Sequence, residues 1–171
     1  MEIKLSKTLS KSEVFQTVKT YLEKHGFNII NSDQTRPWGG FFVIDELQSK
    51  KFTDFFFSNV NDSEKHVGGK ISPKILLVEK EKRLSWQYHH RRAELWKVIG
   101  GEVGVITSEN DEEAEIQIKK TNDVIKLKKG ERHRLIGLES WGVVAEIWQH
   151  TSDNDPSDEN DIVRIQDDFG R

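Results

Sequence analysis

The feature that most constrains this chain is a succession of short β-rich segments that fills most of the sequence after residue 40. Each segment is rich in β-branched, aliphatic or aromatic residues and is bounded by turn residues. The segments are Lys74 to Val78, Arg83 to His89, Leu95 to Ile99, Val103 to Thr107, Glu115 to Lys119, Val124 to Leu127 and Val143 to Trp148. Seven or more such strands predict a mainly β protein that folds as a closed or double-sheet antiparallel barrel.

The first part of the chain has a helical pattern instead. Ser10 and Glu13 have the spacing of a capping box, apolar residues then recur at helical intervals, and Gly26 supplies a C-terminal stop. We therefore predict a short helix from about Ser12 to His25.

These patterns divide the chain into two parts. Residues 1–35 are interpreted as a strand-helix-strand extension, and residues 36–171 as the barrel domain, whose C-terminal segment packs back on it. Asn59 to Gly69 is polar and is interpreted as a loop.

Length and composition exclude several classes of protein. The 171 residues suffice for one well-packed domain, and a net charge of −3 offers no basic field for nucleic acid. No apolar run approaches the ~20 residues of a membrane span, and Met1 to Leu5 lack the apolar stretch of a signal peptide. We therefore expect a cytoplasmic protein without a nucleic-acid or membrane partner. The chain has no cysteine, which excludes disulfides and thiolate ligands.

Two short stretches contain side chains suited to one divalent metal. Gln87 and His89 are two residues apart, so their side chains point to the same side of a predicted strand. If the strand bends after His89, the Glu94 side chain can point to the same place, and His133 completes the set. Amide, imidazole and carboxylate donors fit zinc or a neighbouring first-row ion with positions left for water or substrate. One alternative stays open, because a β-bulge would present His90 in place of His89.

The same residues resemble the two sequence motifs of the cupins. Gln87, His89, Glu94 and Gly101 match the spacing of the first motif, with Gln in place of the first His, and the sequence Gly-Glu-Arg-His ending at His133 resembles the second motif. The resemblance implies a cupin fold, a double-stranded β-helix or jelly-roll barrel. Three positions depart from the family pattern without removing a ligand: Glu81 stands where glycine is usual, Leu95 where His is common and Lys128 where proline is expected.

The stretch from Leu84 to Trp96 is more narrowly similar to the cupin-type, or type II, mannose-6-phosphate isomerases. Those enzymes also occur as the C-terminal module of mannose-1-phosphate guanylyltransferase fusions. Arg36-Pro37-Trp38-Gly39 and the closing residues 161–171 resemble the two ends of the same module, so the likeness covers roughly residues 36–171.

This resemblance implies a metal-dependent isomerase that interconverts mannose 6-phosphate and fructose 6-phosphate, or a related sugar phosphate such as a heptose phosphate. Zinc is the first expectation for the ion. Arg36, Arg92 and Arg134 are the candidate phosphate ligands, because guanidinium groups bind phosphate well. Trp38 is a candidate for contact with the sugar.

Glu146 is the candidate base for proton transfer between C1 and C2, and Arg134 is a second candidate for a catalytic role. If Glu146 faces the barrel interior, Val144 and Trp148 do so too, because side chains alternate along a strand. Two alternatives remain. Glu146 can be a structural carboxylate paired with arginine, and the protein can be a non-catalytic cupin that binds metal and sugar as a sensor or accessory module. Pairing of two chains through sheet edges is a further expectation, by analogy with other cupins.

Overall fold

The computed structural model describes residues 2–66 and 68–170; Val67, in the predicted loop Asn59 to Gly69, lies outside the described residues. The helices are α1 (Lys11–Lys24), α2 (Ser49–Phe56) and α3 (Asp62–Lys65), with a 3-10 turn at Glu46–Gln48. The strands are β1 (Ile29–Asp33), β2 (Gly39–Ile44), β3 (Ile71–Val78), β4 (Trp86–Tyr88), β5 (Arg92–Gly100), β6 (Val103–Ser108), β7 (Gln117–Lys119), β8 (Val124–Leu127), β9 (Arg132–Gly137), β10 (Gly142–His150) and β11 (Val163–Gln166). In the described part of the chain, none of the helices is long and apolar enough to cross a lipid bilayer.

The strands form two antiparallel sheets that enclose an apolar core. One sheet has the order β1-β2-β3-β10-β5-β8 and the other the order β11-β4-β9-β6-β7. Side chains from both sheets, such as Val98 and Val105, meet in one buried cluster. The predicted double-sheet barrel is therefore confirmed. The expected pairing of two chains through a sheet edge stays a prediction.

The central strands of the larger sheet are buried on both faces. On β3, Ile75 and Leu77 pack under the helices, whereas Leu76 and Val78 face the barrel interior. The same alternation on β10 places Ala145 under the helices. A strand covered on both faces is mostly apolar. A charged residue on its inner face must therefore find its partners inside the barrel.

Helix α1 begins and ends as the sequence predicts. The Ser10 hydroxyl accepts a hydrogen bond from the Glu13 backbone N–H, and the Glu13 carboxylate accepts one from the Ser10 N–H at 2.8 Å. Gly26 takes a φ of +72°, which ends the helix. The buried face of α1 consists of Val14, Phe15, Val18 and Leu22.

Helix α2 differs from the sequence-based prediction, which expects strands after residue 40. Phe52 and Phe56 are one helical turn apart, both are buried, and both rings lie within 5.8 Å of Phe27. The sequence pattern does not separate this arrangement from a β segment, because a short phenylalanine-rich run is typical of both. Helix α3 likewise lies inside the segment that was interpreted as a loop.

Glu81 stands at a backbone position that favours glycine. It lies in the turn after β3 with a φ of +59°, in the left-handed region. A residue with a side chain destabilises the folded state by about 1–2 kcal/mol in this conformation. Glycine avoids that strain, but it loses more conformational entropy on folding, which costs about 0.5–1 kcal/mol. We expect Glu81→Gly to raise the free energy of unfolding by about 0.5–1 kcal/mol, which corresponds to a Tm increase of roughly 1–4 °C.

The measurement is thermal unfolding followed by circular dichroism. Lys82→Gly is the matched control, because Lys82 is exposed in the same turn and its φ is not positive. This control should lower the Tm. Equal Tm changes in the two variants would contradict the assignment of strain to Glu81.

Candidate metal centre

Three buried side chains converge between the two sheets. His89 follows β4, Glu94 lies on β5 and His133 lies on β9, and their ligand atoms all lie within 4.8 Å of one another. His89 Nε2 is 3.2 Å from Glu94 Oε1, and His133 Nε2 is 3.5 Å from Glu94 Oε2. This group is compatible with one metal ion.

Strand pairing explains the convergence. Strands β4 and β9 are neighbours, with Gln87 paired to His133, so residues near this pair share one side of the smaller sheet. The chain then turns at residues 90–91 and crosses to β5 in the larger sheet, where Glu94 faces the first two side chains. The bend that the sequence analysis required between His89 and Glu94 is this crossing.

Both imidazoles are oriented by backbone carbonyls. His89 Nδ1 lies 2.5 Å from the Asp161 carbonyl oxygen, and His133 Nδ1 lies 2.9 Å from the Glu131 carbonyl oxygen. A carbonyl oxygen only accepts, so each Nδ1 must carry the proton and each Nε2 keeps its lone pair. Metal-ligating histidines are commonly held in this way.

Two of the converging atoms are buried polar atoms without partners. Among residues 2–66 and 68–170, no group forms a hydrogen bond with Glu94 Oε2 or His133 Nε2. Leaving a buried acceptor unpaired costs about 1–3 kcal/mol. A divalent cation between these atoms would use both lone pairs, so the residues fit a metal ion.

The protonation states also suit metal binding. Burial lowers the pKa of His89 to about 3 and lowers that of His133 as well, so both rings are neutral near pH 7. Burial opposes ionisation of Glu94, but the positive charge of Arg92, which also donates a hydrogen bond to the carboxylate, acts against this and holds the pKa of Glu94 below its usual value. Neutral imidazoles and an ionised carboxylate are the forms that bind metals.

Gln87 lies beside the group, but its amide is turned. Its Oε1 accepts a hydrogen bond from the Ser85 hydroxyl at 2.6 Å, and its Nε2 is 3.4 Å from His89 Nε2. A metal would need the amide oxygen in the place of this nitrogen. The structure thus brings Gln87 to the group, and ligation would require the amide to rotate by half a turn.

The two residues after His89 point away from the group. His90, the alternative ligand, is exposed, and its ring packs 5.2 Å from Tyr88. Arg91 instead pairs with Asp155 at 2.9 Å. The structure therefore places His89 in the group, and not His90.

Arg92 is inside the site, and protein groups already use its donors. The side chain is buried against Trp148, with its guanidinium carbon 3.6 Å from the centre of that ring. Its Nε donates to Glu94 Oε1 at 2.8 Å, Nη2 donates to His89 Nε2 at 3.1 Å, and Nη1 donates to Ser157 Oγ at 2.7 Å. Because a metal would take the same His89 lone pair, Arg92 Nη2 must release it when an ion binds.

A cavity opens next to the group, with Gln87 and Glu94 in its wall. Two predicted substrate-binding residues, Arg36 and Trp38, also line it. Trp38 is buried, and Arg36 is held at the mouth by Asp33, 2.8 Å from its Nε.

Glu146 faces the interior of the barrel, in the wall of this cavity. Its Oε1 accepts a hydrogen bond from Trp96 Nε1 at 2.9 Å. Burial and the nearby charge of Glu94 raise the pKa of Glu146 to about 8. The carboxyl group therefore holds a proton at neutral pH and can exchange it.

Arg134 is not brought to the cavity, in contrast to its predicted role. It follows His133 on β9, and adjacent residues of a strand face opposite sides. Its guanidinium is paired with Glu113 at 2.6 Å and donates to the Gln166 carbonyl oxygen at 3.2 Å. Arg134 thus lies on the far side of the smaller sheet, where it ties β9 to β11.

Sequence reasoning placed Trp148 on the interior face of its strand with Glu146, but it assigned no role to Lys74, which also lines the cavity. Lys74 is 5% exposed and lies on β3, and its ammonium is 3.5 Å from the centre of the Trp148 ring. The available signal was a single charged residue within the otherwise uncharged and mostly apolar run from Ile71 to Val78. Lysine is almost never fully buried unless it is paired, so such a residue indicates an internal partner.

Comparison with known proteins identifies the family. The profile of the family described as Mannose-6-phosphate isomerase C-terminal matches residues 58–167. This chain belongs to that family. Comparison with curated proteins gave no match. The matched residues include β3 to β11 and the whole candidate metal centre of this mannose-6-phosphate isomerase C-terminal module.

Solved structures show the fold. A variant of the oxalate decarboxylase OxdC from Bacillus subtilis has a TM-score of 0.56 at 12% identity, covering 79% of this chain and 30% of that chain. A Cupin 2 conserved barrel domain protein from Salinispora arenicola CNS-205 has a TM-score of 0.40 at 15% identity, covering 46% of this chain and 62% of that chain. The likeness to the oxalate decarboxylase shows that the chain has the cupin fold, and the chain spans less than two thirds of the length of either protein.

Removal of one imidazole should weaken metal binding. We expect the protein to bind one equivalent of a divalent ion, and His133→Asn to reduce the affinity by more than about 100-fold, because even the loss of an outer partner of a ligand costs 10- to 100-fold. Metal content after dialysis and titration against a chelator measure this. His90→Asn is the control and should bind metal normally. Equal losses in the two variants would contradict the assigned ligand set.

Proposed function

We propose that this chain is a metal-dependent aldose–ketose isomerase. Its proposed reaction interconverts mannose 6-phosphate and fructose 6-phosphate, or a related sugar phosphate such as a heptose phosphate. Family membership supports the class of substrate. The observation that carries the proposal is the position of Glu146, because a carboxyl group that holds a proton at neutral pH lines the same cavity as Glu94 of the metal group.

The bound ion would be held by His89, Glu94 and His133, with Gln87 as the fourth ligand after rotation of its amide. Such an ion acts as a Lewis acid and stabilises negative charge on neighbouring substrate oxygens. We propose zinc, because two neutral imidazoles and a carboxylate with open positions are typical of catalytic zinc sites.

Glu146 is assigned the proton transfer. Isomerisation moves one proton between C1 and C2 and one hydroxyl proton between O1 and O2. The ionised form of Glu146 would remove the proton from one carbon, and the carboxylic acid that results would return it to the other. The Trp96 indole fixes Oε1, and Oε2 is the atom that we assign to the transfer. A pKa raised toward the working pH suits a group that must both accept and donate a proton.

The other cavity residues position the reacting groups. Arg92 stays against Glu94 Oε1, where it keeps this carboxylate ionised and oriented. Arg36 and Trp38 line the cavity and are assigned to contact the sugar phosphate. Arg134 has no part in this proposal.

A second candidate is a cupin that binds metal and sugar without turnover, as a sensor or accessory module. The metal group and the cavity residues fit this candidate as well, because binding alone requires no proton transfer at Glu146. Measurement of turnover separates the two candidates.

We expect the zinc-loaded protein to convert mannose 6-phosphate into fructose 6-phosphate, and a chelator to abolish the conversion. In D2O, deuterium should enter the product at the carbon that receives the proton, which NMR detects. Glu146→Gln should lower kcat by about 10²- to 10⁴-fold, the usual contribution of a general base, with unchanged metal content.

Glu139→Gln is the control, because it makes the same chemical change at an exposed site and should leave kcat unchanged. Full kcat in Glu146→Gln would remove Glu146 from the mechanism. Metal binding without turnover of any sugar phosphate would favour the sensor.

A further inference from the structure

The segment between β10 and β11, residues 151–162, covers the cavity. It also supplies hydrogen-bond acceptors to two buried cationic side chains in the cavity wall, Arg92 and Lys74. We name it the closing segment. Ser157 Oγ accepts from Arg92 Nη1 at 2.7 Å, and the Asp158 carbonyl oxygen accepts from the same nitrogen at 3.1 Å. The Glu159 carboxylate accepts from the Lys74 ammonium. The protein thus supplies its own acceptors where a ligand would enter.

The pair of Lys74 and Glu159 is asymmetric. The Lys74 side chain is 6% exposed. Its ammonium lies over the Trp148 ring and 5.1 Å from the centre of the Phe41 ring. The Glu159 side chain is 64% exposed and comes from a segment outside the sheets. A buried ammonium requires an anion beside it, whereas an exposed carboxylate loses little when it returns to water. Glu159 is therefore the replaceable member of the pair.

Trp148 offers a second group for a ligand. Its indole N–H is buried and has no hydrogen-bond partner among residues 2–66 and 68–170. This group can only donate, and Trp148 lines the cavity next to Lys74. A cation and an unused donor side by side suit an oxyanion.

The volume of the cavity requires a displacement. At about 90 Å³ the cavity is too small for a hexose phosphate while Glu159 fills its edge. Glu159, Lys74 and Trp148 all line this space. Movement of the Glu159 side chain into solvent would enlarge the cavity and expose the ammonium in one step.

We propose that Lys74 binds the phosphoryl group of the ligand and that Glu159 is an internal carboxylate that occupies this anion subsite until the ligand displaces it. The identity of the ligand as a sugar phosphate rests on the proposed function. The subsite itself rests on Lys74, Trp148 and Glu159. Glu159 then competes with the ligand and lowers its apparent affinity.

Two variants measure the two parts of the proposal. Lys74→Met keeps the length of the side chain and removes its charge, so the Kd for mannose 6-phosphate should rise about 10- to 100-fold, the usual value of a charge-assisted hydrogen bond. Glu159→Gln removes the competitor, so the same Kd should fall about two- to fivefold. Isothermal titration of the full chain with mannose 6-phosphate, inorganic phosphate and uncharged mannose gives these values. Lys74→Met should leave the binding of mannose unchanged.

Another buried lysine supplies a matched control. Lys65 is 7% exposed in its side chain and pairs at 2.9 Å with Asp62, which is 92% exposed, and neither residue lines the barrel cavity. Lys65→Met and Asp62→Asn therefore make the same changes elsewhere in the protein. Both should leave the Kd for mannose 6-phosphate and for phosphate unchanged.

The outcomes separate this inference from the proposed function. Unchanged binding of mannose 6-phosphate in Lys74→Met, or absence of binding of both mannose 6-phosphate and phosphate in the unmodified chain, overturns the anion subsite. Unchanged or weaker binding in Glu159→Gln overturns the competition, and this variant decides alone if Lys74→Met does not fold. Binding of mannose 6-phosphate that depends on Lys74 but leads to no turnover supports the subsite and counts against the isomerase. Turnover with an unaltered KM in Lys74→Met supports the isomerase and counts against the subsite.

Discussion

Burial of β3, β5 and β10 on both faces is the constraint on which the rest of this structure depends. The helices cover one face, and the smaller sheet covers the other, so most side chains on these strands are apolar. The polar exceptions then become informative. Lys74, Glu94 and Glu146 lie on these strands and line the cavity. Their burial requires that each finds a partner inside the barrel.

The resulting set of charges is compact and internally compensated. Arg92 pairs with Glu94, Lys74 pairs with Glu159, and Glu146 takes an indole hydrogen bond and keeps its proton. The two carboxyl groups on the inner face thus differ in protonation, which is the usual basis for a division of roles between a ligand and an acid–base group. The unpaired atoms of the metal group and the exposure of Glu159 indicate where exogenous ligands would complete the set.

Several features could be predicted from local sequence. The capping box at Ser10, the alternation along β10 and the spacing of Gln87, His89 and Glu94 depend only on helix and strand geometry. Other features could not. Strand β9 is not among the predicted strands because its first residues are charged, and α2 is not predicted because its phenylalanines fit either period. Arg134 shows a further limit, because a basic residue next to a candidate ligand is on the opposite face of its strand.

The sequence by itself determined the barrel class, the donor types available to a metal and the family resemblance, because these follow from residue type and short-range spacing. Only the tertiary structure decided which groups share the cavity. The neighbours of Lys74 include Trp148 and Glu159, which are far along the chain and come together through strand pairing and the path of the closing segment. Such contacts depend on sheet order, and no local pattern encodes that order.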